Sequence, residues 1–297
     1  MKQFAGLILA ITMLLPQALP AQDNEVDALR VMSFNIRYNN PGDGVNAWPN
    51  RNDQVAALIG ERYQPSSVSL QEVLHGQLLD LEERLPDYDW AGVGRDDGET
   101  GGEFSCIFYR TDRLACLEDD TFWLSENPDE PGSVSWDSSM TRICTWAKFQ
   151  DKQSGAIFYH FNTHYDHRGQ EAREESSALI VRMIRQIAGD APVVLTGDFN
   201  TREGSLAYKR IVGLEPVDEE LANLRDARYL SGRPWQGPYA TFTRENWTVV
   251  GDGSPIDYIF VNPGFSVHQF AVIDDRLEND HFPSDHLPVM ADLRLAP

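Results

Sequence analysis

Val193-Val194-Leu195-Thr196-Gly197-Asp198-Phe199-Asn200-Thr201 is the stretch from which the rest of the chain can be read. Apolar, mostly β-branched residues end in a glycine, and two short polar side chains follow, which is the pattern of a buried strand whose C-terminal lip carries chemistry. Gly197 lets the backbone bend or approach another group closely. Strand alternation would set Asp198 and Asn200 on one face and turn Phe199 into the core. On that face a carboxylate can orient and deprotonate a water, and a carboxamide can donate to an anionic oxygen such as that of phosphate. The same residues also suit an Asx-type turn that satisfies loop backbone. Alone, the stretch leaves both readings open.

Outward from it the chain is strand-rich. Leu29 to Tyr38 reads as a strand with Asn35 near its end, and Ser67 to Val73 as a short strand closing on Glu72. Glu103 to Arg110, Phe122 to Leu124, Ile143 to Phe149 and Ala156 to Arg168 follow, the last placing Asn162, His164 and Asp166 on one face. Arg142 opens one of these strands, where an arginine is most often an exposed ion pair. Helical spacing marks Arg51 to Glu61, about Gly76 to Leu85, and Glu171 to Ala188, the last stopped by Gly189. Residues 201 to 250 read as loops rich in Tyr, Trp and Phe. Ile256 to Val261 is a buried strand carrying Asp257, a carboxylate that needs a partner there. Asp285 and His286 stand just before the last strand. Strands from end to end with few helices and no linker predict one α/β domain of stacked sheets over residues 22–297.

Composition narrows the function. Residues 1–21 carry Lys2, an apolar run and a small-residue stretch, the pattern of a secretory signal peptide. The chain is therefore expected to be secreted or periplasmic, and the absence of cysteine after the run predicts no lipid anchor. Cys106, Cys116 and Cys144 allow at most one disulfide, but their apolar surroundings suit small core residues. A net charge of −21 disfavours, without excluding, a long nucleic acid partner. No G-x-S-x-G turn marks a serine hydrolase. The seven histidines are scattered rather than grouped as zinc ligands.

The contexts Ser33-Phe34-Asn35, Gln71-Glu72, Asn162-Thr163-His164, Gly197-Asp198-Phe199-Asn200, Ile256-Asp257-Tyr258 and Ser284-Asp285-His286 all fall at strand edges. In this order the chain resembles the endonuclease/exonuclease/phosphatase superfamily, the deoxyribonuclease-like fold, from about Arg30 onward. That resemblance implies a four-layer sandwich of two mixed β-sheets flanked by helices, with an active site on one edge. It implies a divalent cation, Mg2+ or Mn2+, held by Asn35 and Glu72 with Asp285 sharing the site. It also implies that Asp198 or His286 serves as general base, that Asp257 holds His286, and that Asn200 and His164 stabilise the phosphoryl group. Arg142 and Arg168 follow as candidate substrate contacts. Histidine at 164 is similar to the pancreatic-type deoxyribonucleases and neutral sphingomyelinases. The expected reaction is in-line attack of water on a phosphodiester or phosphomonoester, the substrate being a lipid head group, a sugar phosphate or a nucleotide. A secreted nuclease is the alternative, a non-catalytic binding or toxin-subunit role is the second alternative, and the protein is expected to act as a monomer.

Overall fold

Alternating inward and outward side chains build this molecule, and the strands follow that alternation. The computed structural model describes residues 28–296, and the leader expected at residues 1–21 lies outside them. The strands are β1 (Leu29–Asn35), β2 (Ser67–Gln71), β3 (Tyr88–Ala91), β4 (Ile107–Arg110), β5 (Leu114–Trp123), β6 (Ile143–Asp151), β7 (Ile157–His164), β8 (Val193–Asp198), β9 (Arg225–Asp226), β10 (Asp257–Val261), β11 (Phe265–Val272) and β12 (Val289–Leu295). They form two six-stranded sheets, ordered β11-β12-β1-β2-β4-β3 and β9-β10-β8-β7-β6-β5. β1 and β2 pair in parallel, as do β7 and β8, whereas β12 and β10 run antiparallel to their neighbours β1 and β8, so both sheets are mixed.

Each sheet carries helices on its outer face. Met32, Phe34, Val68 and Leu70 meet Val55, Ile59, Leu78 and Leu81 from α1 (Asn52–Ala57), the wide turn that continues it, and α2 (His75–Arg84). On the other sheet Tyr159, Phe161, Val193, Leu195 and Phe260 meet Leu179, Ile180 and Ile184 of α3 (Gln170–Ala188) and Ile211 of α4 (Leu206–Ile211). Between the sheets Val31, Ile107, Phe149, Phe158, Val194, Ile259 and Val289 form the central core. This is the expected four-layer sandwich. No helix among the described residues is long and apolar enough to cross a membrane.

The inner faces change character along the strands. On β1 the inward parity runs Val31, Ser33, Asn35; on β2 Ser67, Ser69, Gln71; on β7 Phe158, His160, Asn162, His164; on β8 Val194, Thr196, Asp198. One end of the inter-sheet space is thus oily and the other polar. His160 bridges the sheets through Ser67, Ser69 and Thr196 at 2.8–3.1 Å. Asn162 takes Gln71 Nε2 on its oxygen at 2.7 Å and donates to the carbonyls of Leu70 and Cys106. Buried polar groups in this layer are held by partners across the sheets, with Gln71 Oε1 and His164 Nδ1 as exceptions among the described residues. The three cysteines are free, Cys106 and Cys144 being buried as expected and Cys116 only half-buried.

Some elements depart from the sequence expectation. β5 begins at Leu114 rather than at the expected Phe122, and its acidic run Glu118-Asp119-Asp120 is an exposed sheet edge; charge on an edge strand blocks further pairing. β11 is hidden by a register shift between Val267 and Gln269 that breaks its alternation. The strand expected over Glu103 to Arg110 is interrupted at Ser105 and Cys106.

Candidate active site

The C-terminal ends of β1, β2, β7 and β8 lie side by side at the polar edge, and β10 and the loop before β12 enter it from the opposite direction. Asp198 is at the centre. Its Oδ1 accepts from the backbone N–H of Asn200 at 2.9 Å, an Asx turn, while Oδ2 accepts from Asn35 Nδ2 at 3.1 Å. Oδ2 also stands 3.4 Å from His164 Nε2 and 3.6 Å from His286 Nε2. The Asx turn of the opening stretch is therefore formed on one carboxylate oxygen, while the other faces Asn35, His164 and His286. Gly197 is required by this packing: at φ 152° a Cβ there would lie 2.2 Å from the carbonyl oxygen of Thr163 on β7.

His286 Nδ1 faces both oxygens of buried Asp257, at 3.0 and 3.2 Å, and Phe242 covers the ring edge-on. Burial works against the imidazolium, but Asp257 and then Asp198 outweigh it and raise the pKa well above 6.5. Asp198 is itself pushed up to about 7, first by burial, with His286 opposing and Asp257 adding to the rise. The centre holds a carboxylate, an imidazolium and a second carboxylate in line. His164 is different: burial first, then the Arg142 and Arg95 guanidiniums, drive its pKa well below 6.5 and leave a neutral ring.

Glu72 and Asp285 occupy the outer side of the cluster, each half-buried. Glu72 adopts φ 59°, a left-handed conformation costly for a side chain with a Cβ, and is held by Tyr38 N–H and Asn35 Nδ2, both at 3.1 Å. Their facing oxygens lie 3.8 and 3.9 Å from Arg37 Nη1, so a positive charge already stands between them. Hard carboxylate oxygens around a cation are the chemistry Mg2+ and Mn2+ take. Asp198, Asp257 and His286 also offer ligand atoms within 4.8 Å of one another. Among them, however, a protonated imidazole has no lone pair to give. Asn35, expected among the cation's ligands, donates its nitrogen to Glu72 and Asp198 and accepts Arg37 N–H on its oxygen. It positions two carboxylates.

Asn200 reaches the edge through a left-handed turn, φ 45°, because β8 ends at Asp198 and alternation no longer applies. Its Nδ2 donates to the Tyr165 carbonyl at 3.0 Å, which leaves its other amide hydrogen for a ligand. Arg142, read as an exposed ion pair or a substrate contact, is only 4% exposed. Its Nε and Nη1, like His164 Nδ1, are buried without a hydrogen-bond partner among the described residues. Asp166 lies 3.9 Å from Nε, and its oxygens are occupied by Ser139, Arg168 and Gly169. Arg168 is exposed and reaches His167 Nε2 at 3.1 Å, while Arg142 Nη2 approaches Nδ1 of the same ring at 3.3 Å. A neutral imidazole has one acceptor nitrogen, so only one of those guanidiniums is satisfied at a time.

One contributor escaped the sequence reading. Arg37 belongs to the same Ser-Phe-Asn-Ile-Arg stretch as Asn35, and its charge beside a strand end was the available signal. Glu103, a loop-mouth residue open to substrate contact or structural pairing, is held by Arg95 in a fork at 2.7 and 3.2 Å and lies 3.9 Å from His164 Nδ1. A cavity of about 490 Å3 lies at the opposite end of the sheets. Its arginines are already paired, Arg30 with Asp292, Arg110 with Asp112 and Arg113 with Asp151.

Known proteins share this arrangement of sheets. A family model described as the Endonuclease/Exonuclease/phosphatase family matches residues 32–286. The structure of an endonuclease/exonuclease/phosphatase from Bacteroides vulgatus is 43% identical, with TM-score 0.83, over 91% of this chain and 99% of that one. A mannosyl-6-phosphatase from Bacteroides thetaiotaomicron is 36% identical, with TM-score 0.81, over 89% of this chain and 99% of that one. An uncharacterized protein, L388, of Acanthamoeba polyphaga mimivirus is 25% identical over 272 residues, covering 88% of this chain and 98% of its own.

Proposed function

Because this chain belongs to the endonuclease/exonuclease/phosphatase family, whose members are hydrolases of phosphoric ester bonds, we propose that it is an exported, monomeric, Mg2+- or Mn2+-dependent phosphoesterase acting on a small substrate, a sugar phosphate first among them. The observation that carries this reading is the buried Arg142, with two unpartnered nitrogens beside a neutral His164 and the Asp198–His286 pair. A buried guanidinium with two nitrogens left without hydrogen bonds is costly unless an anion completes it. The similarity to a mannosyl-6-phosphatase supports a phosphorylated sugar, and the net charge of −21 counts against a polyanionic chain.

In the proposed reaction Arg142, with Arg168 at the mouth and the free amide hydrogen of Asn200, binds the phosphoryl oxygens and sets the phosphorus above Asp198. Asp198, ionised, takes the proton of the attacking water. His286 is already protonated by virtue of Asp257 and therefore acts as a donor to developing negative charge rather than as the base. His164, a neutral ring, assists the departing oxygen. A divalent cation near Glu72 and Asp285 would supply charge neutralisation. The test is a substrate panel of sugar phosphates, phosphodiesters, sphingomyelin, RNA and DNA with purified protein, with and without EDTA. Mn2+-dependent release of phosphate from sugar phosphates is expected. Turnover confined to DNA or RNA would replace this reading with the nuclease one, and EDTA-insensitive turnover would remove the cation from it.

A further inference from the structure

Arg37 sits where a cation is wanted, and its surroundings keep it there. Its Nε and Nη2 fork onto Asp43 at 3.0 and 3.2 Å, and its guanidinium carbon lies 4.5 Å over the Tyr38 ring. Nη1 is left pointing at Glu72 and Asp285, 3.8 and 3.9 Å away. Those separations exceed hydrogen-bond length, so the charge acts through space without occupying either carboxylate's lone pairs.

The backbone is bent to achieve this. Arg37 has φ 58°, a conformation that is costly for a residue with a Cβ and persists only where neighbours impose it. Those neighbours are identifiable. Arg37 N–H is held by Asn35 Oδ1, and its carbonyl accepts from Arg51 Nη2 and Gln77 Nε2. Arg51, only 2% exposed, also donates to the carbonyls of Ile36 and Pro283, which ties the Arg37 turn to the segment bearing Asp285. A strained residue, clamped on both sides and aimed between two acids, is a built feature.

We infer that Arg37 is a fixed internal counter-charge of the cation site: it steadies Glu72 and Asp285 against each other when no divalent ion is bound and weakens the ion's binding when one is. This rests on the proposed placement of the cation at those carboxylates. Arg37 is a positioning residue, and removing its charge leaves two neighbouring acids with less opposing charge, His286 and Arg51 remaining, so that a bound cation relieves more of their repulsion. The alternative, that Arg37 merely shapes the carboxylates to receive the ion, predicts the opposite sign.

Calorimetric titration of metal-free protein with Mn2+ and Mg2+, alongside thermal melts with and without the ions, separates the two. Arg37→Met should bind Mn2+ at least tenfold more tightly than wild type. Its metal-free Tm should fall, and its gain in Tm on adding the ion should exceed that of wild type. Arg37→Lys keeps the charge and should bind within about threefold of wild type. Asp43→Asn frees the guanidinium to turn wholly onto Glu72 and Asp285, so its affinity should drop, and this variant carries the test if Arg37→Met does not fold. Unchanged or weaker binding in folded Arg37→Met, or tighter binding in Asp43→Asn, overturns the inference while leaving the cation in place. Absence of binding by wild type overturns the cation placement itself, and this inference with it.

Discussion

Asp198 and Arg142 are each buried against the preference of their charge, and that is where substitution tells most. Raised to about 7 by burial, Asp198 becomes a base only as pH passes that value, so log kcat/KM should climb with unit slope below about pH 7 and flatten above it. A profile flat from pH 5 to 8 would contradict the assignment. Asp198→Asn should lower kcat by about 10²–10⁴-fold. The sign for stability is the reverse of the sign for activity. A carboxyl whose folded pKa lies above its unfolded value contributes stability below the ordinary carboxyl range, and that contribution is lost as pH rises to about 7. Asp198→Asn should therefore melt higher than wild type at pH 8 and show no such gain at pH 4. Arg142→Met should likewise cost little or no stability, since burial lowers the guanidinium pKa and two of its nitrogens lack partners. The same change should raise KM more than tenfold and abolish protection of the fold by inorganic phosphate. Equal thermal protection in variant and wild type would remove Arg142 from the phosphate site.

Strand ends carry the second set of consequences. β8 delivers Asp198 to the edge only because Gly197 lets it pass β7 without a side chain. Gly197→Ala should cost about 3 kcal/mol, from the contact with Thr163 and the positive φ together, read as a shift in urea midpoint at unchanged m-value. A loss under about 0.5 kcal/mol would mean that the strands separate freely there. The inward parity of these strands was legible in advance, because alternation fixes which residues share a face whatever the partner strand turns out to be. Element ends were less so. Asn200 lies in a turn that replaces the strand after Asp198, and β5 and β11 were concealed by an acidic edge and a bulge.

Between the two sheets the molecule has an apolar half and a polar half, and its response to acid belongs to that division. Buried His160 is held neutral, its pKa lowered to about 3 by desolvation, whereas the unfolded chain protonates it near 6.5. A depressed histidine contributes stability above its unfolded pKa and loses it as pH falls, here between about 6.5 and 3, at up to about 1.4 kcal/mol per pH unit. His160→Gln should flatten the acid limb of a stability–pH curve, and an unchanged slope would place the proton uptake elsewhere. The amino-acid sequence by itself determined an α/β domain of stacked sheets with polar strand ends, since periodicity and side-chain chemistry are local properties, and the resemblance carried by its motifs implied which of those residues gather. Only the tertiary structure decided how those residues divide the work. It set Asn35 between Glu72 and Asp198, buried Arg142 with two nitrogens unpartnered, aimed Arg37 between Glu72 and Asp285, and raised the His286 pKa by setting Asp257 against it. Distances across the sheets and exclusion of water set those outcomes, and neither is written along a single strand.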